Sequence, residues 1–185
     1  MASLAKALES AAAATVPKSI SLTLGEQAMS HQIEVRGIAL RCCSYAGVFQ
    51  PVVDSLADPQ LRNQYRWTTL DALRAAVSLH PDLAENAAQA FSAKFGANGT
   101  DLFRMLYGYT DAQLQAGADK QLVDLLSHND LEYRVLGFYN LRQITGINDQ
   151  NYQPEALELQ RRAHVKPWEE RRKTGKIRQA VGDKP

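Results

Sequence analysis

One pair of matching segments constrains this chain more than any other feature. Val53–Val77 reads VDSLADPQLRNQYRWTTLDALRAAV, and Val123–Thr145 reads VDLLSHNDLEYRVLGFYNLRQIT. Both open on Val-Asp and a Leu-rich run, both carry Tyr-Arg, and both follow it with Leu-Arg eight residues on. Tyr65-Arg66 and Leu73-Arg74 therefore match Tyr133-Arg134 and Leu141-Arg142 at one constant offset. Val35-Arg36 marks an earlier copy and Phe103-Arg104 a weaker one, so Arg36, Arg66, Arg104 and Arg134 recur at near-even intervals. Such a period points to stacked repeats. A unit of ~30–40 residues is too small to bury its own apolar face and shares a core with its neighbours.

The spacing inside the repeats is helical. Leu122, Leu125 and Leu126 fall on one helix face, and Leu131, Val135, Phe138, Leu141 and Ile144 recur every three or four residues. Asn129 or Asp130 can cap the start of that second helix and Gly146 can end it. Pro81 and Asp82 open another helix, with Leu83, Ala87, Ala90, Phe91 and Phe95 on one face, and Gly96 closes it. Strand alternation is scarce. The pattern predicts about nine or ten helices joined by short turns. In each repeat, an arginine near the start of the second helix should reach carbonyls or an acid in the preceding turn.

These residues bring a family into view. Residues 119–146, DKQLVDLLSHNDLEYRVLGFYNLRQITG, resemble a HEAT-like repeat: a Leu-rich helix, a turn with Asp or Asn, then Tyr-Arg, and a Leu near the end of the second helix. Asn151–Trp168, NYQPEALELQRRAHVKPW, is similar to the closing element of certain bacterial HEAT-like domains, on Tyr152, Pro154, Arg161, Arg162 and Trp168. The resemblance is specific over 119–168 and looser over 18–117, and DLFRMLYGY around Arg104 lacks the later Leu-Arg. It implies an all-α, armadillo-type fold: a right-handed α-solenoid of three or four stacked helical hairpins over 18–172, with a C-terminal capping helix around Trp168. Residues 1–17 are expected as a helical or frayed lead-in, and 173–185 as a flexible basic tail. HEAT-like solenoids in general are binding scaffolds, so the resemblance implies interaction and not chemistry.

Composition narrows the function further. The chain of 185 residues is 45% hydrophobic and 22% charged, as in a folded globular protein. Its net charge of +1 announces neither a nucleic-acid nor a membrane binder, and no apolar run approaches the ~20 residues of a membrane helix. The charge is nevertheless segregated. Residues 161–185 hold nine Lys and Arg against three acids, a net +6, which leaves −5 for residues 1–160.

No GxGxxG, P-loop, HExxH or GxSxG occurs, so neither enzymatic activity nor a cofactor is expected. The histidines 31, 80, 128 and 164 are isolated, and His31 and His128 both occupy the turn before a repeat arginine, which suggests a structural role. Cys42 and Cys43 are consecutive on a helix and point about 100° apart, so they cannot both face one metal. Their presence favours a reducing compartment and a cytoplasmic location.

Interface anchors are often Tyr, Trp or Arg. Trp67, Tyr107 and Tyr109 are therefore expected as partly exposed aromatic anchors. Arg66 and Arg134 read as structural, while Arg74 and Arg142, near helix ends, are expected to be free for contact. Arg161, Arg162, Arg171 and Arg172, with Lys166 and Lys173, would carry binding to nucleic acid or dock an acidic partner. The net −5 carried by everything before Arg161 should repel phosphate. The sequence thus favours a non-enzymatic protein–protein interaction scaffold with protein partners over a nucleic-acid binder, with no membrane insertion.

Overall fold

A computed structural model describes residues 20–61, 63–147 and 151–178. Every regular element among them is helical, with no strand. The chain divides into two compact units, Met1–Gly99 and Thr100–Pro185. The division falls inside the stretch read as one solenoid, close to Arg104, where the repeat pattern lapses. The lead-in 1–17 and residues 179–185 lie outside the described residues. Among those described, no helix is long and apolar enough to cross a membrane.

The first unit is built from α1 (Ile20–Ala28), α2 (Ile33–Tyr45), α3 (Phe49–Leu56), α4 (Asn63–Leu79) and α5 (Pro81–Phe95). Helix α5 shows why these segments form where they do. Pro81 sits in its first turn, where a missing N–H costs nothing. Ala87 and Phe91, four residues apart, are the positions it buries, and Gly96 ends it with φ 57°. Burying Phe91 fully is worth about 2–3 kcal/mol. Helix α2 packs on α1 and α4, and α3 packs on α5, so alternate helices lie side by side. The α2–α4 crossing is close enough to require a glycine: a Cβ on Gly37 would stand 2.3 Å from Tyr65 Cδ1.

Helix α6 (Gly99–Met105) leads into the second unit. There α7 (Asp111–Gln113) runs through a π-turn (Leu114–Ala118) into α8 (Asp119–Leu125), followed by α9 (Leu131–Thr145) and α10 (Glu158–Lys173). Helix α9 is buried on every side from Tyr133 to Leu141, so it carries almost no polar face. Its Gly137 also meets α8 closely, though less so than Gly37 meets Tyr65, since a Cβ there would lie 2.9 Å from Leu125 Cβ. Gly146 ends α9 in the left-handed conformation, as its position predicts. Asp130 stands at the N-cap of α9 but makes no side-chain capping bond. Tyr152 and Trp168 close over Phe138 with ring centroids 4.7 and 5.9 Å away.

The segment expected to be loose from residue 173 is instead folded back as far as it is described. Ile177 is fully buried, and Arg178 Nε lies 2.8 Å from Oδ2 of the buried Asp119. One isoleucine and one ion pair suffice to seat this stretch. Neither partner is adjacent in sequence, which is why the segment reads as free.

Candidate interaction surface

Three of the four repeat arginines occupy the same structural position. Arg36, Arg66 and Arg134 are each the fourth residue of their helix, α2, α4 and α9. Arg134 Nη1 donates to the carbonyls of His128 and Asn129 at 2.6 and 2.5 Å, and its Nε donates to Pro154 O at 2.7 Å. Arg66 donates to Asp58 O at 2.9 Å and to Asn63 Oδ1 at 2.8 Å. Arg36 pairs with the carboxylate of the same Asp58. A guanidinium carries five donors in a fixed fork, which suits it to the acceptors that cluster where one helix stops and the next begins. His128 is part of the same turn: its Nδ1 accepts from Asp130 N at 3.1 Å and its ring lies 4.4 Å from that of Tyr133. Arg104 does not share this position. It sits in the last turn of α6, where it pairs with Asp101 at 3.5 Å and donates to Tyr109 Oη at 2.8 Å.

The expected contact residues fare unevenly. Trp67 is not an exposed anchor: it is buried in α4 and belongs to the core of the first unit. Arg74 and Arg142, expected to be free, are half-buried and engaged by neighbouring groups. Tyr107 is 50% exposed, with its ring edge-on to Phe103. Tyr109 is half-buried beneath the Arg104 guanidinium, 4.9 Å from its ring centroid. Burial raises the Tyr109 pKa above the ordinary tyrosine value against the pull of Arg104, so it stays a neutral hydroxyl. Arg161 is buried, Arg162 is exposed and pairs with Glu158 at 2.6 Å, Arg171 lies over the Trp168 ring, and Arg172 is half-buried.

Two arginines of the second unit meet at one short loop. Residues 152–157 connect the end of α9 to α10 and have no helical structure of their own. Tyr152 Oη donates to Leu126 O at 2.6 Å, Arg134 holds Pro154 O, and Arg161 Nη1 holds Ala156 O. Neither Arg134 nor Arg161 has a carboxylate within ion-pairing distance among the described residues. Burial, and then the charge of Arg161, hold the Arg134 guanidinium below its ordinary pKa. Burial pushes the Tyr152 hydroxyl well above the tyrosine range, opposed by Arg161 and Arg134.

Beside this loop, a groove of about 390 Å³ runs along α10 against Ser127, walled by Glu158, Arg161, Arg162, Val165, Lys166 and Glu169. Leu157, the N-cap of α10, and Leu159 in its first turn are 74% and 81% exposed and do not line the groove. The sequence points to Arg161 and Arg162 but not to the groove, because Ser127 and the Arg134 staple lie far from α10 along the chain. In the sequence the two leucines show only as apolar residues without a place.

The charge segregation resolves within this unit. Residues 1–99 hold eight basic and eight acidic residues, whereas residues 100–160 hold four basic and nine acidic. The acidic excess and the basic segment therefore belong to the same compact body, and Arg178–Asp119 is one place where they meet.

No cluster of His, Cys, Asp and Glu among the described residues is arranged to hold a metal. Of the two cysteines, Cys42 is exposed and Cys43 is buried. Burial, with Cys42 adding to it, pushes the Cys43 thiol up from 9.0 to about 11. A thiolate is the reactive form, so a thiol reagent at neutral pH should label one cysteine of the native chain quickly and the second only on unfolding. Because the folded state raises this pKa, the stability Cys43 contributes is present below pH 9 and is lost as pH rises through about 11. Mass spectrometry of labelled chain settles the first point. Rapid double labelling without denaturant would contradict it.

No family model, curated protein or solved structure matches the chain.

Proposed function

We propose that the chain is a HEAT-like helical-repeat protein acting as a non-enzymatic protein–protein interaction scaffold. One observation carries this reading. Arg66 and Arg134, equivalent in the repeat but in different units, both tie the turn before their helix through its acceptors. A shared clamp at a shared position is what a repeated structural unit requires, and the side-by-side packing of alternate helices in the first unit supports it. On this reading α1–α2, α3–α4 and α8–α9 are the hairpins of a right-handed solenoid, and α10 is its cap. Solenoids present extended surfaces rather than closed catalytic pockets, and their function is recognition.

Nucleic acid is the less favoured partner. Arg161, Arg162, Arg171, Lys173 and Arg178 are each held by groups of this same chain, which leaves Lys166, Arg172 and Lys176 without an ion pair among the described residues. So few available cations among the described residues of this segment give it little counterion release.

The test is affinity capture from source-cell lysate with the intact chain as bait, with and without nuclease. Shortening the chain before Arg161 is not a usable control, because Trp168 and Ile177 belong to the core. Proteins that survive nuclease and are displaced by untagged chain support the scaffold reading. Recovery of nuclease-sensitive material alone would replace it with the nucleic-acid alternative.

A further inference from the structure

The second unit fastens its own C-terminal segment to a buried charge. Asp119 is the first residue of α8, and its side chain is only 1% exposed. Its Oδ1 accepts from Lys120 N at 2.8 Å, and its Oδ2 accepts from Arg178 Nε at 2.8 Å. Arg178 is its one cationic partner among the described residues, because the neighbouring Lys120 is turned to Asp124 at 2.5 Å. A carboxylate held out of water without a cation is costly, so the buried state of Asp119 depends on Arg178 being in place. Arg178 itself stands at the edge of the solvent, with a side chain 45% exposed. It reaches Asp119 because Gly175, at φ 72°, turns the chain back after α10, and because Ile177 is fully buried. On its other side Asp119 follows directly on the π-turn Leu114–Ala118. Gly117 of that turn has φ 110°, and a Cβ there would meet nothing within 4 Å, so backbone conformation and not crowding selects glycine. Ala116 and Ala118 form one wall of a polar pocket of about 240 Å³, completed by Arg104, Tyr109, Gln113 and Gln121. Turns of this kind inside helices are frequent at functional sites.

We propose that residues 174–178 are a latch on this π-turn. In the latched state Arg178 pairs with Asp119, and the turn keeps the pocket wall in place. On release, Asp119 loses its counter-charge and turns to water about Gly117, and the wall of Ala116 and Ala118 moves with it. The charge of Asp119 is what couples the two segments, since leaving it buried and unpaired is the costly alternative. Whatever draws Arg178 away therefore reshapes a pocket that Arg178 does not line. Reciprocally, a ligand that fits the pocket as it stands holds the latch shut. The latch is independent of the scaffold reading, because it needs only the contacts of the second unit.

The test is amide hydrogen exchange of the full chain, read by mass spectrometry in wild type, in Arg178→Met and in the double variant Asp119→Asn with Arg178→Met. Arg178→Met should speed exchange about tenfold in 174–178 and also in 114–119. The double variant should keep 174–178 fast but return 114–119 to the wild-type rate, because a neutral amide leaves no charge to hydrate. Peptides from 135–141 of the buried helix α9 should stay slow throughout, which separates release of the latch from general loosening. An effect of Arg178→Met confined to 174–178 overturns the proposal, since the segment is then docked without acting on the turn. Failure of the double variant to slow 114–119 also overturns it, because the turn would be answering to lost packing and not to the charge. Acceleration of 135–141 in step with 114–119 does the same, because the unit would be opening as a whole.

Discussion

Trp168→Ala should destabilise the second unit by about 4 kcal/mol, visible as a lowered urea midpoint in far-UV circular dichroism. Trp168 is 1% exposed, packs edge-on against Phe138 and carries the Arg171 guanidinium on its ring. Truncation removes the largest buried side chain of α10 and leaves a cavity over α9. The structure also says what a milder change should do. The indole Nε1 is buried without a hydrogen-bond partner among the described residues. Trp168→Phe therefore keeps the aromatic contact and sheds an unsatisfied donor, so it should cost about 1–2 kcal/mol, well under the alanine variant. Equal losses for the two variants would mean that the indole N–H is satisfied and that polar contact, not packing, holds α10 in place. A negligible loss for Trp168→Ala would remove α10 from the core altogether.

How much of this is legible in the sequence follows from the range over which each signal acts. Helix ends are local, and Pro81, Gly96 and Gly146 mark them where the sequence places them. The arginine clamp is legible because Arg134 acts on a turn five or six residues back, within reach of a repeat pattern. Trp67 misleads because Tyr-Arg-Trp has the composition of an interface anchor, and burial depends on helices far away in sequence. The seating of Arg178 on Asp119 spans 59 residues, and the Asn140 bond to Met105 O spans 35. No periodicity encodes such pairs. The groove is of this second kind: its helix is visible in the sequence, but the Ser127 that closes its other side lies far from that helix along the chain.

Arg134→Met should cost about 3 kcal/mol, and Arg66→Met a similar amount in the first unit. Summing three charge-assisted hydrogen bonds at about 1.5–3 kcal/mol each would overstate the loss. The carbonyls of His128 and Asn129 lie in a partly exposed turn, where water replaces the guanidinium, and only Pro154 O is enclosed. Methionine also removes a desolvated charge that faces Arg161, which recovers part of the loss. Arg134→Lys should fall between, because one ammonium cannot span Pro154 O and the turn carbonyls together. The pair Arg134 and Arg161 gives the sharper measurement. Alone, Arg161→Met loses one carbonyl contact and relieves repulsion, so it should cost about 1 kcal/mol or less. Once Arg134 is gone there is no repulsion to relieve, and Arg161 becomes the last arginine on the loop, beside the Tyr152 bond to Leu126 O. The double variant should therefore lose more stability than the two single losses added together, by at least the ~0.5 kcal/mol that independent sites do not exceed. Simple additivity in chemical denaturation would show that the two arginines act on separate structures. The loop 152–157 would then not be the shared element through which the repeat clamp of α9 shapes the groove wall of α10.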